Sequence, residues 1–233
     1  MKLFGDLTVK NNRLIIGGCD AKELAEQYGT PLYVFDAARA EATARSYEEI
    51  LKEEYPDHTV CFASKAFCCK GVYKMLAKLG LGADVVSGGE LYTALAGGMP
   101  PERIYFHGNN KTEAEIKYAI ESGVECFVVD SELEAELISK HAKKPQNVLV
   151  RVNPGVEAHT HRFIQTTTPD SKFGFSVADG TAEEFIRGLV GRKNISFKGV
   201  ACHIGSQIFE REAFEIAIDK MTDLIVRLNS VGI

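Results

Sequence analysis

The chain has 233 residues, 45% of them hydrophobic and 25% charged, with a formal net charge of −5. That is globular composition with enough apolar residues for a core, and the acidic balance excludes an electrostatic nucleic-acid binder, which carries a basic stripe. No apolar run reaches the length of a membrane-spanning helix, and Asp6 interrupts "MKLFGDLTVK" too early for a secretory signal.

The first 36 residues do not share the pattern of the rest. "LTVKNNRLIIGG" alternates weakly and predicts an edge strand or hairpin, and "PLYVFD" (31–36) predicts a further short strand. A helix over 37–54 then leads into Val60. Residues 1–36 are expected to pair with something outside the unit formed by 37–233.

From Val60 a pattern repeats: a short apolar run ends, a polar cap follows, and an amphipathic helix begins. The runs are "VCFAS" (60–64), "LGADVVS" (81–87), "IYFHG" (104–108), "CFVVD" (126–130), "VLVRVNP" (148–154) and "FKGVACHIGS" (197–206). They lack clean alternation, as do parallel strands buried on both faces. Ser87 with Glu90, Thr112 with Glu115, Ser131 with Glu134 and Thr181 with Glu184 have capping-box spacing, in which a hydroxyl and a carboxylate satisfy free amides at a helix start. Glycine closes several helices, and Pro100 and Pro101 stop one of them.

The first four runs start roughly 21–23 residues apart, the length of a βα unit with a right-handed crossover. Between the fifth and sixth the gap is about twice as long, holding "EAHTHRFIQTTTPDSKFGFS" and one helix (181–191). A long loop in such an array is usually functional. Six uninterrupted units predict a (β/α)8 barrel of which six of eight strands are present, so the chain reads as part of a longer protein. A doubly wound sheet is the alternative; no GxGxxG follows the first strand, and no GxxxxGK[ST] occurs. A last helix begins at Arg211, with Phe214, Ile218, Met221, Ile225 and Leu228 on one face and Gly232 in the closing position.

Six cysteines, none in CxxC, read as reduced thiols of a cytoplasmic protein. Adjacent Cys68 and Cys69 read as small residues at a helix start, a redox pair being the alternative.

In a parallel barrel the carboxyl ends of the strands meet in one mouth. The residues expected there are Ser64 and Lys65; Asp84, then Glu90; His107, Asn109 and Asn110; Asp130; Arg151 and Asn153; and His203, Ser206 and Gln207. Lys65 closes a run that reads as buried. Burial disfavours an ammonium and yields a nucleophilic amine; an ion pair with a mouth carboxylate such as Asp84 is the commoner arrangement, and both stay open. His203 could be an acid/base group, a metal ligand, a flat surface for an aromatic cofactor or a hydrogen-bonded core histidine. The Gly205–Ser206 turn is a plausible phosphate contact. His159 and His161 have no supporting ligand cluster, and no metal is expected.

The segments "YVFD", "FASKAF", "GADVVSGGEL", "IYFHGNNKT", "VLVRVNPG", "HTHRFI" with "DSKFGFS", and "CHIGSQI" together resemble the diaminopimelate decarboxylase family, fold-type III pyridoxal-phosphate enzymes with an alanine-racemase-like barrel. The resemblance spans nearly the whole chain. It implies a lyase that converts meso-2,6-diaminopimelate to L-lysine and CO2, the last step of lysine biosynthesis, with pyridoxal 5′-phosphate on Lys65 as a Schiff base. It implies His203 stacked on the pyridine ring, Ser206 on the cofactor phosphate, and Asp84, Glu90 and Arg151 as the polar surround. The loop from His159 to Phe175 would lie over the site, residues 1–36 would pair with a β-domain absent from this chain, and the full-length enzyme would be a homodimer with a small amino-acid substrate. Its glycine-rich phosphate site, the acidic partner of the pyridine nitrogen and the active-site cysteine and tyrosine would lie beyond residue 233, leaving the chain alone inactive. Phe67 stands where that family often has asparagine. Related ornithine, arginine or polyamine-precursor decarboxylases share the lysine in outline, and a non-catalytic pyridoxal-phosphate-binding relative is the remaining alternative.

Overall fold

The computed structural model describes residues 5–156, 173–206 and 208–233. They divide into two compact units, one of residues 1–60 with 75–81, the other of residues 61–74 with 82–233.

In the first unit, β1 (Thr8–Lys10) pairs antiparallel with β2 (Arg13–Ile16), and β2 with β3 (Cys19–Asp20). Asn11 and Asn12 both take positive φ, 51° and 61°, which a two-residue hairpin turn requires to match strand twist. The expected hairpin is therefore present. Helix α1 (Ala21–Tyr28) stands outside the sequence expectations, although Asp20 caps its free amides of Lys22 and Glu23 and Gly29 closes it. Helix α2 (Ala37–Glu54) follows as expected, capped by Asp36. "PLYVFD" forms no strand, contrary to expectation: residues 31–36 join no ladder among the described residues, and Leu32, Tyr33, Val34 and Phe35 are 39–98% exposed. Apolar β-formers do not make a strand without a partner for their backbone groups.

The second unit carries the parallel sheet. Strands β4 (Cys61–Ala63), β5 (Gly82–Val85), β6 (Ile104–Phe106), β7 (Cys126–Val129), β8 (Gln146–Asn153) and β10 (Ile195–Ala201) neighbour one another in chain order. The short β9 (Phe175–Ser176) continues from the end of β8, which it pairs in parallel. Helices follow the strands: α3 (Lys70–Lys78), α4 (Gly88–Ala96), α5 (Glu113–Ser122), α6 (Glu132–His141), α7 (Thr181–Leu189) and α8 (Arg211–Ser230). This is the order of a (β/α)8 barrel with six of its eight strands, as the spacing predicts. Phe106, Phe127, Val129, Val148 and Val150 are buried, and β7 is buried along its whole length, which accounts for its lack of alternation.

The caps do more than end helices. Thr112 and Glu115 form a complete capping box, and the other Glu115 oxygen accepts the Gly88 amide at the start of α4, 2.7 Å away. Ser131 accepts the Glu134 amide, and the Glu134 carboxylate accepts the Asp130 amide. Ser87 accepts the Glu90 amide, and Glu90 accepts the Val86 amide. These carboxylates fix the loops at the carboxyl ends of the strands. The fourth expected box is absent: Gly180, at φ 85°, is the cap of α7, and the Thr181 hydroxyl turns back to Asp179 and the Ser176 carbonyl. The expected face of α8 also differs. Ala213, Ala217, Leu224 and Leu228 are buried, whereas Phe214, Ile218 and Ile225 are exposed. The two alanines pack with Val156 and Ile204, so the small-residue stripe beside the bulky one makes the contact.

No helix among the described residues is long and apolar enough to cross a membrane.

Candidate active site

The strand ends open into one cavity of about 550 Å³. Ala63, Ser64 and Lys65 reach it from β4, Asp84 and Val86 from β5, and His107 to Asn110 from β6. Arg151 comes from β8 and Phe173 from the segment before β9, and Cys202, His203 and Ser206 follow β10. Lys65, Asp84, Arg151, His203 and Ser206 thus share one space, with His107, Asn109 and Asn110. The topology accounts for this, since parallel strands in register deliver their carboxyl ends to one side.

Lys65 is not at the end of a buried strand. The strand stops at Ala63, one 3-10 turn covers Ser64–Ala66, and that turn leaves Ser64 buried and Lys65 exposed. The buried position expected for Lys65 is therefore not found. The ion-pair alternative is not realised either. No ion pair joins Lys65 to a carboxylate among the described residues, and Asp84 faces His107 instead, with Oδ1 3.4 Å from Nε2. Lys65 lines the cavity without a carboxylate partner among the described residues.

His203 is held below the usual imidazole range. Burial is the largest cause, the interactions with Lys65, Arg151 and His107 add to it, and Asp84 opposes it. These effects favour the neutral imidazole. Arg151 lies 4.3 Å from the Phe173 ring centroid and 3.6 Å from Asp130 Oδ2. Its other restraint is indirect, because Asp130 Oδ1 accepts the Gly174 amide at 2.6 Å. Cys202 sits beside Arg151; burial raises its thiol and the guanidinium opposes that rise.

Three expected mouth residues stand back from the cavity. Glu90 takes the Val86 amide at 2.7 Å and so acts through a wall residue. Asp130 braces Arg151, and Asn153 is buried with its side-chain oxygen on the Gly155 amide. Gln207, His159 and His161 lie outside the described residues, as does most of the segment from His159 to Phe175. Sequence reasoning missed Cys202 and Phe173 as wall residues. It also missed Lys111, whose buried ammonium bonds Glu134 at 2.5 Å, the Gly108 carbonyl at 2.7 Å and the Val128 carbonyl at 2.8 Å. Burial pushes Lys111 down and Glu134 up, and their attraction opposes both shifts. The only available signal was a lysine next to a capping threonine, which does not reveal a partner 23 residues away.

The arrangement offers a primary amine, an imidazole, a guanidinium and a hydroxyl around one small-molecule-sized space. That set suits a carbonyl-bearing, anionic, aromatic ligand: an amine for the carbonyl, positive and hydroxyl groups for the anion, and a flat neutral ring for the aromatic face.

Comparison with known proteins gives the following. A family profile described as the pyridoxal binding domain of pyridoxal-dependent decarboxylases matches residues 41–233. The chain is 47% identical over 211 residues to a diaminopimelate decarboxylase of Staphylococcus aureus, covering 89% of this chain and 50% of that protein. It is 45% identical over 216 residues to one of Halalkalibacterium halodurans, covering 91% and 49%. The crystal structure of diaminopimelate decarboxylase from M. jannaschii in complex with L-lysine is similar with a TM-score of 0.87 and 38% identity, covering 97% of this chain and 54% of that one. The chain thus spans about half the length of the curated relatives it matches.

Proposed function

We infer the function from one premise: the chain belongs to the pyridoxal-dependent decarboxylase family, whose pyridoxal binding domain its residues 41–233 match. On that premise the cavity holds pyridoxal 5′-phosphate, and the protein of which this chain is the lysine-bearing part decarboxylates meso-2,6-diaminopimelate to L-lysine and CO2. The observation that carries the reading is the placement of the Lys65 amine, exposed, at a cavity shared with Arg151, His203 and Ser206. The identity to diaminopimelate decarboxylases of two bacteria supports the choice of substrate.

When bound, the cofactor supplies an electron sink for the charge left by the departing CO2. The chain's own residues supply the rest. Lys65 Nζ would hold the cofactor covalently. His203, whose neutral form is favoured by burial and by the surrounding charges, would present a flat face to the cofactor ring. Ser206 would hold the phosphate. Arg151, fixed by Phe173 and Asp130, and Asp84, paired with His107, set the charge of the surround, and Glu90 holds the Val86 wall. Further parts of the reading are a cytoplasmic homodimer, and residues 1–36 as a segment that pairs with a β-domain; the exposed Leu32–Phe35 run supports the latter.

A substrate panel on the full-length protein loaded with pyridoxal phosphate tests the substrate. The expected result is CO2 release from meso-2,6-diaminopimelate in preference to ornithine or arginine. Preference for either of those, or activity indifferent to the cofactor, refutes the reading.

A further inference from the structure

We propose that the buried Lys111–Glu134 pair is a positioning device that holds two walls of the cavity at once. Lys111 has a side chain with no exposed surface, and Glu134 one that is 4% exposed. From this pair two chains of contact run to the cavity. Along the first, the ammonium bonds the carbonyl of Gly108, which belongs to the wall from His107 to Asn110. Along the second, the carboxylate bonds the Asp130 amide, and the Asp130 side chain holds the Gly174 amide and faces the Arg151 guanidinium. A third bond, to the Val128 carbonyl, ties the ammonium to β7 between them.

The placement is unusual for a purely stabilising element. Two charges withdrawn from water are an inefficient source of stability, since apolar residues of similar volume serve as well or better. What an ion pair adds is direction: three donor bonds and a bidentate acceptor fix backbone groups that an apolar contact leaves free to slide. Those groups belong to the wall segments themselves. Glu134 is also the third helical residue of α6, so one residue gives its amide to the Ser131 cap, meets Lys111 and fixes the loop that carries Asp130.

Amide hydrogen exchange on the cofactor-free full chain tests this. Glu134→Gln keeps the shape and removes the charge. Bonds to charged groups are strong enough that the segments 107–110 and 174–177 are expected to exchange about tenfold faster in the variant, with α8 unchanged. Unchanged exchange at both segments, or an equal rise throughout, overturns the proposal. The double variant Lys111→Met with Glu134→Leu repeats the test with both charges gone and carries the same expectation. If neither variant folds, the pair is a requirement of folding and the proposal fails. Titration with pyridoxal phosphate provides a second readout, which alone rests on the proposed function: binding is expected to weaken about tenfold. Loosened walls with unchanged cofactor affinity would leave the pair's role standing and count against the cavity as the cofactor site.

Discussion

Gly108 is the position where a single methyl group interrogates the cavity wall most cleanly. Its φ is +102°, and a Cβ built there lies 2.9 Å from the Val86 carbonyl oxygen. Gly123, the left-handed cap of α5 at φ 79°, has nothing within 4 Å of such a Cβ. Alanine at Gly123 therefore meets only the backbone cost of a left-handed L-residue, about 1–2 kcal/mol. Alanine at Gly108 meets that cost and the intrusion on a backbone oxygen, which adds about 1–3 kcal/mol. The total for Gly108→Ala is about 2–5 kcal/mol. Urea unfolding of the two variants beside the parent measures the difference, read from midpoints at unchanged slope. Val86 and Gly108 both line the cavity, so Gly108→Ala is also expected to weaken cofactor binding while Gly123→Ala does not. If Gly108→Ala costs no more than Gly123→Ala, the wall is not packed as described.

Three further outcomes are expected. His203 is depressed in the folded state, so the unfolded chain binds its proton more readily; its contribution to stability is full above the usual imidazole range and is lost as pH falls from there through the lower folded value. Urea unfolding from about pH 5 to 7 should accordingly show a shallower pH slope in His203→Gln than in the parent, and equal slopes contradict the charge environment assigned to it. Burial holds the Cys61 and Cys126 thiols up at about 12, while Cys19 and Cys68 are exposed. Iodoacetamide should thus label the exposed pair first under native conditions, with Cys61 and Cys126 protected until denaturation; labelling of Cys126 as fast as Cys19 would contradict the burial. Phe106 and Phe127 are fully buried and stacked at 5.8 Å, so Phe127→Ala is expected to destabilise by about 3–5 kcal/mol in urea, and a loss well below that range would mean the sheet is not packed there.

Much of the sheet and the site could be read from the sequence because both depend on local signals repeated in a fixed order. The runs that contain or immediately precede Lys65, Asp84, His107, Arg151 and His203 are apolar without alternation, which indicates parallel strands. Parallel order then brings those five residues to one mouth without any knowledge of distances. What the sequence hid is what turns and register decide. A one-turn helix after Ala63 exposes Lys65, and no apolar run foretells that. β10 shifts register between Phe197 and Gly199, so the side-chain alternation that would assign Cys202 to a face does not carry across it. In α8 the apolar stripe was legible but not its rotation, since two alanines pack more closely than Phe214 and Ile218. Lys111 meets Glu134 across successive βα units, a contact set by the heights of two loops and not by any spacing in the chain.

The central claim is that Lys65 is the amine that holds the cofactor. Borohydride reduction of the full-length protein loaded with pyridoxal phosphate, followed by peptide mapping, tests it directly. The expected result is a single pyridoxyl group on the peptide containing Lys65, absent in Lys65→Ala. A label on another lysine, such as Lys111, or no label at all, would contradict it.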